Sequence, residues 1–315
     1  MKPRFQRPRP AAPVAPVSRV VTSLTNPLIK DIRALDMRKV RQEAGLFIAE
    51  GLKLVADAIE AGWPIRILVH RSGAEFDRSG SNSAQKSREA DASFRSEGIG
   101  KRYAEDKPML ARAVRATRQA GGEVLEVTGE ILEKLSRRDN PQTVIGVFEQ
   151  RLEKIDSVKI ARDQIWIGLD RVRDPGNLGT IIRTADAVGA EGIVLIGDTT
   201  DPFGIEAVRA TMGSIFNVRL ATATPQAFLA WRRSFDGLVV GTHLSGTHDY
   251  REVTYAGSPC LLLMGNEQQG LPDDLAAACS HLVKIPMRGQ ADSLNLAVAT
   301  GVMLFEIARG QLKLG

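Results

Sequence analysis

The side chains best suited to chemistry gather in three glycine-bearing stretches: DPGNLGTIIRTADA (Asp174 to Ala187), MGNEQQGL (Met264 to Leu271) and IPMRGQADSLNLA (Ile285 to Ala297). Arg183 is of the type that clamps a phosphate or stabilises a developing oxyanion, since its planar fork carries fixed charge and several donors. A surface ion pair is its plainer use. Glu267 is the acid in the second glycine turn and could orient Arg183 or Asn177, or serve structure alone. Asn177 and Asn295 can donate and accept at once, which suits either ligand orientation or helix capping. Gly265 and Gly270 would let backbone approach a ligand closely, or simply turn the chain. Ser293 can cap the helix that follows it.

What is missing narrows the chemistry further. Neither a G-x-x-x-x-G-K-[ST] phosphate loop nor a G-x-G-x-x-G dinucleotide fingerprint occurs in this part of the chain, so nucleotide hydrolysis and hydride transfer lose their usual supports. No Ser-His-Asp or Cys-His set presents itself. His243 and His248 share a segment without Cys or acidic partners in register, so no metal site is expected. Cys260 and Cys279 are not spaced as a CxxC pair and read as core thiols of a reducing compartment.

The elements that must position these loops follow from the apolar pattern. IWIGLDRV (Ile165 to Val172) is nearly continuous in apolar character, as in a parallel strand covered on both faces. The loop RDPGNLG and a helix through about Val188 come next, then GIVLIG. Helix and strand keep alternating: Gly204 to Met212, FNVRLA, Pro225 to Ser234, GLVVGTHL, PCLLLMG, Pro272 to Ala278, HLVKIP, and a final helix from about Ser293. This predicts a doubly wound parallel α/β domain over residues 165–315, with ligands at the carboxyl ends of strands. All three loops fall at such ends.

A smaller α/β domain is expected over residues 19–150. A helix from Asn26-Pro27 through Val40 is followed by the strand LFIAEG, a helix over Leu52 to Ala61 and the strand IRILVH. Residues 71–107 lose apolar content and read as a flexible surface insertion. A helix from Pro108, the strand EVLEV, a helix from Thr128 to about Arg138 and the strand TVIGVFEQ complete the domain, and residues 151–164 read as a polar linker. Residues 1–18 mix Pro, Ala and Arg without periodicity, which predicts a disordered basic arm.

With 315 residues, 43% hydrophobic content and 25% charged residues, the chain has the composition of a soluble two-domain protein. No apolar run is long enough to span a bilayer and no signal-peptide core is visible, so no membrane role and a cytoplasmic location are expected. The net charge of +5 favours a polyanionic partner. Before Asp31 there are six basic residues and no acidic one.

The three loops, in this order, resemble the three motifs of the SpoU (TrmH-type) branch of the SPOUT RNA methyltransferases, over about Ile165 to Leu312. Residues 19–150 more weakly resemble the L30e-like substrate-binding domain that precedes the catalytic domain in the ribosomal-RNA members. Ala297 stands where relatives often carry Ser. The resemblance implies a homodimer that uses S-adenosyl-L-methionine to methylate a ribose 2′-hydroxyl, and a C-terminal trefoil knot that builds the cofactor pocket. It further implies cofactor contacts at Gly265, Ile285 and Leu294, largely through backbone, with Thr242, Asn266, Gly270, Met287 and Ser293 as additional lining. Arg183, Asn177, Glu267, Ser293 and Asn295 are the implied catalytic set. Ribosomal RNA is the expected substrate because of the extra N-terminal domain, with transfer RNA as the alternative. A non-catalytic RNA-binding module of the same fold is a second reading, against which the intact motif residues speak. An α/β oxidoreductase is a third, disfavoured by the missing fingerprint.

Overall fold

The computed structural model describes residues 18–72, 107–136 and 142–313. The chain divides into two compact units, Met1–Gln150 and Arg151–Gly315. The expected arm falls outside the described residues up to position 17, as does the expected insertion from 73 to 106.

The first unit is built from β1 (Arg19–Val21), α1 (Pro27–Ala34), α2 (Arg38–Ala44), β2 (Leu46–Glu50), α3 (Leu52–Glu60), β3 (Ile65–Arg71), α4 (107–119), β4 (Glu123–Val127), α5 (Gly129–Leu135) and β5 (Val144–Glu149). Its five strands lie in the order β1-β4-β3-β5-β2, and β5 runs antiparallel to both its neighbours. Ile29, Ile32, Leu35, Ile48, Val69, Leu125, Ile131 and Val147 form its core on one face of that sheet. The single helix expected through Val40 is broken after Ala34. The break is stabilised by the largely buried Arg41, whose Nη1 donates to the carbonyls of Leu35 at 2.8 Å and Asp36 at 2.6 Å. These are C-terminal carbonyls that no helical amide satisfies.

The second unit contains β6 (Glu153–Lys154), β7 (Ile165–Asp170), α6 (Pro175–Ala187), β8 (Gly192–Ile196), α7 (Ile205–Ala210), β9 (Arg219–Ala223), α8 (Pro225–Arg232), β10 (Leu238–Thr242), β11 (His248–Asp249), β12 (Cys260–Met264), α9 (Asp273–Ala277), β13 (His281–Lys284) and α10 (Leu296–Ile307). Its eight strands are all parallel, in the order β11-β13-β10-β12-β7-β8-β9-β6. Every residue of β7, β8 and β12 is buried, as both-face coverage requires.

Residues 151–164, expected as a linker, instead supply the edge strand β6. Ile155 and Val158 are buried in the core of this unit, and Glu153 makes a two-pronged ion pair with Arg219 at 2.9 and 2.8 Å. The Arg219 bond holds the Glu153 carboxyl below its ordinary range. Sequence patterning missed β6 and β11 because two residues are too few for any periodicity to register. Glycine close to Trp166 matters for the sheet: a Cβ at Gly192 would lie 2.6 Å from the Trp166 ring.

The final helix starts later than expected. Asn295, not Ser293, is its cap, accepting from the amides of Ala297 at 2.9 Å and Val298 at 3.3 Å. At α6 the error runs the other way. Pro175 to Gly179 are helical rather than loop, because Pro at the first position has no amide to waste and Asp174 caps Asn177 N at 2.6 Å.

Candidate active site

Because the sheet of the second unit is wholly parallel, the carboxyl ends of its strands share one edge. The order β13-β10-β12-β7 sets Ile285, Thr242, Gly265 and Asp170 at or just past four adjacent strand ends, roughly 5 Å apart from strand to strand. Residues separated by more than a hundred positions in the chain thereby become neighbours.

Glu267 sits at the centre of the polar contacts. Its carboxylate accepts from the backbone amides of Arg173 and Asp174 and from Asn177 Nδ2, all at 3.3 Å. It thus takes up amides at the amino end of α6, where the helix dipole favours negative charge. Asn177 Oδ1 in turn accepts from Asn295 Nδ2 at 3.0 Å. The path Glu267–Asn177–Asn295 ties the second stretch to the first and the first to the third. Asn295 both caps α10 and makes this link, so the two roles open for it in the sequence coexist.

Arg183 is not part of this set. It lies on α6 six residues after Asn177, which turns it about 120° around the helix axis. Its side chain is exposed, and no ion pair or hydrogen bond holds it in the described structure. Of the two partners open to Glu267, the structure gives it Asn177. Ser293 is exposed in the third loop.

The positions expected to line a cofactor occupy the strand ends and the loops after them. Thr242 ends β10 and its hydroxyl donates to Met264 Sδ at 3.4 Å. Gly265 is required by its own turn, because a Cβ there would come within 2.0 Å of the Gly270 carbonyl carbon and 2.1 Å of Leu271 N. Gly270 has open space around it but a φ of +69°. One glycine is therefore needed for close packing and the other for backbone conformation. Asn266 closes the turn: it exchanges backbone bonds with Gly270 at 3.0 and 2.9 Å, and its Oδ1 accepts from the amides of Gln268 and Gln269. Ile285 is half-buried. Met287 and Leu294 each leave 37% of their surface exposed, and so present apolar faces beside the strand ends.

Three residues at this edge escaped the sequence reading: Asp170, Arg171 and Gln269. Asp170 is 1% exposed and pairs with Arg171 at 2.9 and 2.8 Å, while Arg171 Nη1 donates to Gln269 Oε1 at 3.0 Å. The Asp170 bond raises the guanidinium further above its already high range. An acid ending an otherwise apolar strand was the available signal. Among the described residues no group of three or more His, Cys, Asp or Glu side chains could hold a metal ion, and no helix is long and apolar enough to cross a membrane.

This fold and site define a two-unit α/β protein in which Asn177, Glu267 and Asn295, from three separate stretches, meet at the carboxyl edge of a parallel sheet. Residues 164–305 match the model of the SpoU rRNA Methylase family, and residues 26–146 match that of the MRM3-like substrate binding domain. The AdoMet-bound rRNA methyltransferase from Sinorhizobium meliloti is 47% identical, with a TM-score of 0.80 over 94% of this chain and 99% of that one. The 23S rRNA (uridine(2479)-2′-O)-methyltransferase of Streptomyces viridochromogenes is 29% identical over 94% of both chains. An uncharacterized tRNA/rRNA methyltransferase of Synechocystis is 30% identical over 92% of this chain and 94% of its own. The chain belongs to the SpoU methylase family.

Proposed function

We propose that this protein is an S-adenosyl-L-methionine-dependent RNA ribose 2′-O-methyltransferase acting on ribosomal RNA. The observation that carries this reading is the joining of Asn177, Glu267 and Asn295, from three separate motif stretches, at the edge where Thr242, Gly265 and Ile285 also end. The near full-length likeness to proteins named rRNA methyltransferases supports it.

The residues fit the cofactor. Adjacent strand ends offer backbone donors and acceptors over a nucleoside's length, and Met287 and Leu294 offer apolar faces for a base. Thr242, Gly265, Asn266, Gly270, Ile285, Met287, Ser293 and Leu294 are the proposed cofactor contacts, with Asn266 and Gly270 acting by shaping the turn. When bound, the cofactor supplies a sulfonium methyl group for in-line displacement by the ribose oxygen. The chain's task is then alignment, because holding reactants in line removes much of the entropic barrier. Glu267, Asn177 and Asn295 hold the walls of the site in one arrangement. Arg183 is exposed and has no partner among the described residues, which leaves it able to clamp a substrate phosphate and stabilise charge on the 2′-oxygen. A guanidinium stays protonated, so the hydroxyl proton passes to phosphate or water rather than to Arg183.

The knot and the dimer belong to the same proposal. Insertion of β12 between β7 and β10 supports a threaded C-terminal segment. The otherwise apolar α10 leaves Val298 53% and Phe305 52% exposed, seven residues apart on one stripe, which supports a homodimer packed through that helix. The first unit, the basic residues before Asp31 and the net charge of +5 are assigned to RNA binding, and a cytoplasmic location goes with that substrate.

Methyl transfer from labelled cofactor to ribosomal RNA, with reverse-transcription stops mapped in cells with and without the protein, tests the reading. A new 2′-O-methyl site that depends on the protein is expected. Cofactor binding with no RNA product would leave only the fold.

A further inference from the structure

Arg171 follows the last residue of β7 and has a φ of +47°, in the left-handed region that side-chain-bearing residues rarely adopt. Such strain persists where surrounding contacts over-determine it. Here the contacts are identifiable. Its amide donates to Ile196 O at 2.9 Å, and its side chain lies across Gly197, where a Cβ would sit 3.1 Å from Arg171 Cγ. Its Nε and Nη2 both reach the buried carboxylate of Asp170, which leaves Nη1 to donate to Gln269 Oε1. Its carbonyl accepts from Asn266 Nδ2 at 2.8 Å. A lysine offers a point charge and could not span Asp170 and Gln269 with one rigid fork.

Both connections end on the exposed turn 266–270, one on each side of Glu267. Within itself the turn is closed by the Asn266–Gly270 bridge and by Asn266 Oδ1, which accepts from the amides of Gln268 and Gln269. Its tip must nevertheless stay in register with α6, since Glu267 reaches the Arg173 and Asp174 amides and Asn177 only at 3.3 Å.

We infer that Arg171 is a positioning residue for methyl transfer: anchored on Asp170, it clamps the Asn266–Gln269 turn so that Glu267 holds the amino end of α6 and, through Asn177, the third loop. This rests on the methyltransferase reading, but the clamp itself can be tested without turnover. Gly265 is buried directly after the wholly buried strand β12, ahead of the turn, so the clamp acts on alignment more than on cofactor affinity.

The test uses the full chain with Arg171→Ala, Arg171→Lys and Gln269→Ala. Amide hydrogen exchange is measured without substrates, cofactor affinity by calorimetry, and kcat and KM with ribosomal RNA. Gln269→Ala leaves the Asp170 pair intact, so it reports on the clamp even if Arg171→Ala unfolds. We expect Gln269→Ala and Arg171→Lys to keep the wild-type melting temperature, to speed exchange over residues 266–270, and to lower kcat about 10-fold with cofactor affinity held within about 3-fold. Arg171→Ala should lower kcat by roughly 10- to 100-fold. Unchanged exchange in Gln269→Ala and Arg171→Lys would overturn the clamp and leave Arg171 as a counter-ion for Asp170. Faster exchange with unchanged kcat would overturn its role in catalysis. A wild-type protein that binds no cofactor and methylates no RNA would instead defeat the functional reading, while the exchange data still decide the clamp.

Discussion

The two parts of α6 are built on opposite plans. At its amino end Asp174, Asn177 and Glu267 saturate one another, and Asn295 reaches in from a third loop. Two turns later Arg183 stands exposed with no partner in the described structure. The first region is finished before any ligand arrives, whereas the second is held in reserve. Fixed groups contribute alignment without reorganisation, while an unpaired guanidinium keeps its full interaction energy for an incoming anion.

That contrast can be broken by mutation. Arg183→Ala should show the largest effect, with kcat falling by about 10²- to 10³-fold while the melting temperature and cofactor affinity stay near wild type. A melting temperature that drops together with activity would mean that Arg183 is structural after all. Asn295→Ala should do the reverse in kind. Loss of a cap that serves two amides should cost about 1 kcal/mol in a urea titration, with a smaller fall in kcat than Arg183→Ala produces.

Phe305→Glu addresses the face that α10 leaves uncovered. Light scattering should shift from the proposed dimer toward monomer, and an unchanged mass would remove this stripe from the proposed interface.

Glu153→Gln serves as a control remote from α6, at the sheet's far edge. The pair with Arg219 is about one-third exposed, so screening limits its loss to roughly 0.5 kcal/mol. Because the folded carboxyl is held below its ordinary range, this contribution is present above the unfolded value and fades as pH falls. The wild-type and variant urea midpoints should therefore converge under acid conditions.

The smallest effect concerns the thiols. Burial pushes Cys260 and Cys279 up to about 12, so both should resist alkylation at neutral pH in the folded state. Neutral burial favours the fold below the ordinary thiol range, and this preference is lost as pH climbs toward the folded value. Rapid labelling of Cys260 in native protein at neutral pH would contradict its burial, while Cys279 is half-buried.

Much of the fold was legible because local physics repeats itself along the chain. Continuous apolar runs marked β7, β8 and β12 as doubly covered strands, and Asn26-Pro27 marked the start of α1. Local signals misled where two candidates competed. Ser293 and Asn295 can both cap a helix, and only packing of the loop settles which side-chain oxygen meets the first-turn amides. Arg41 offered no hint in sequence that it would fold back on Leu35 and Asp36 and divide a helix.

The order of residues along the chain supplied the chemical inventory: which strands are buried, which turns need glycine, and which motif side chains are available. Their partners were decided in three dimensions. Nothing along the chain brings Glu267 to residues 173–177, or Asn295 to Asn177, or Arg171 to Gln269, since 90 or more positions separate each pair. These meetings follow from strand order in a parallel sheet, where a long crossover costs little more entropy than a short one and lets distant segments end side by side. Periodicity reports which face of an element is buried, but not which element will lie next to it.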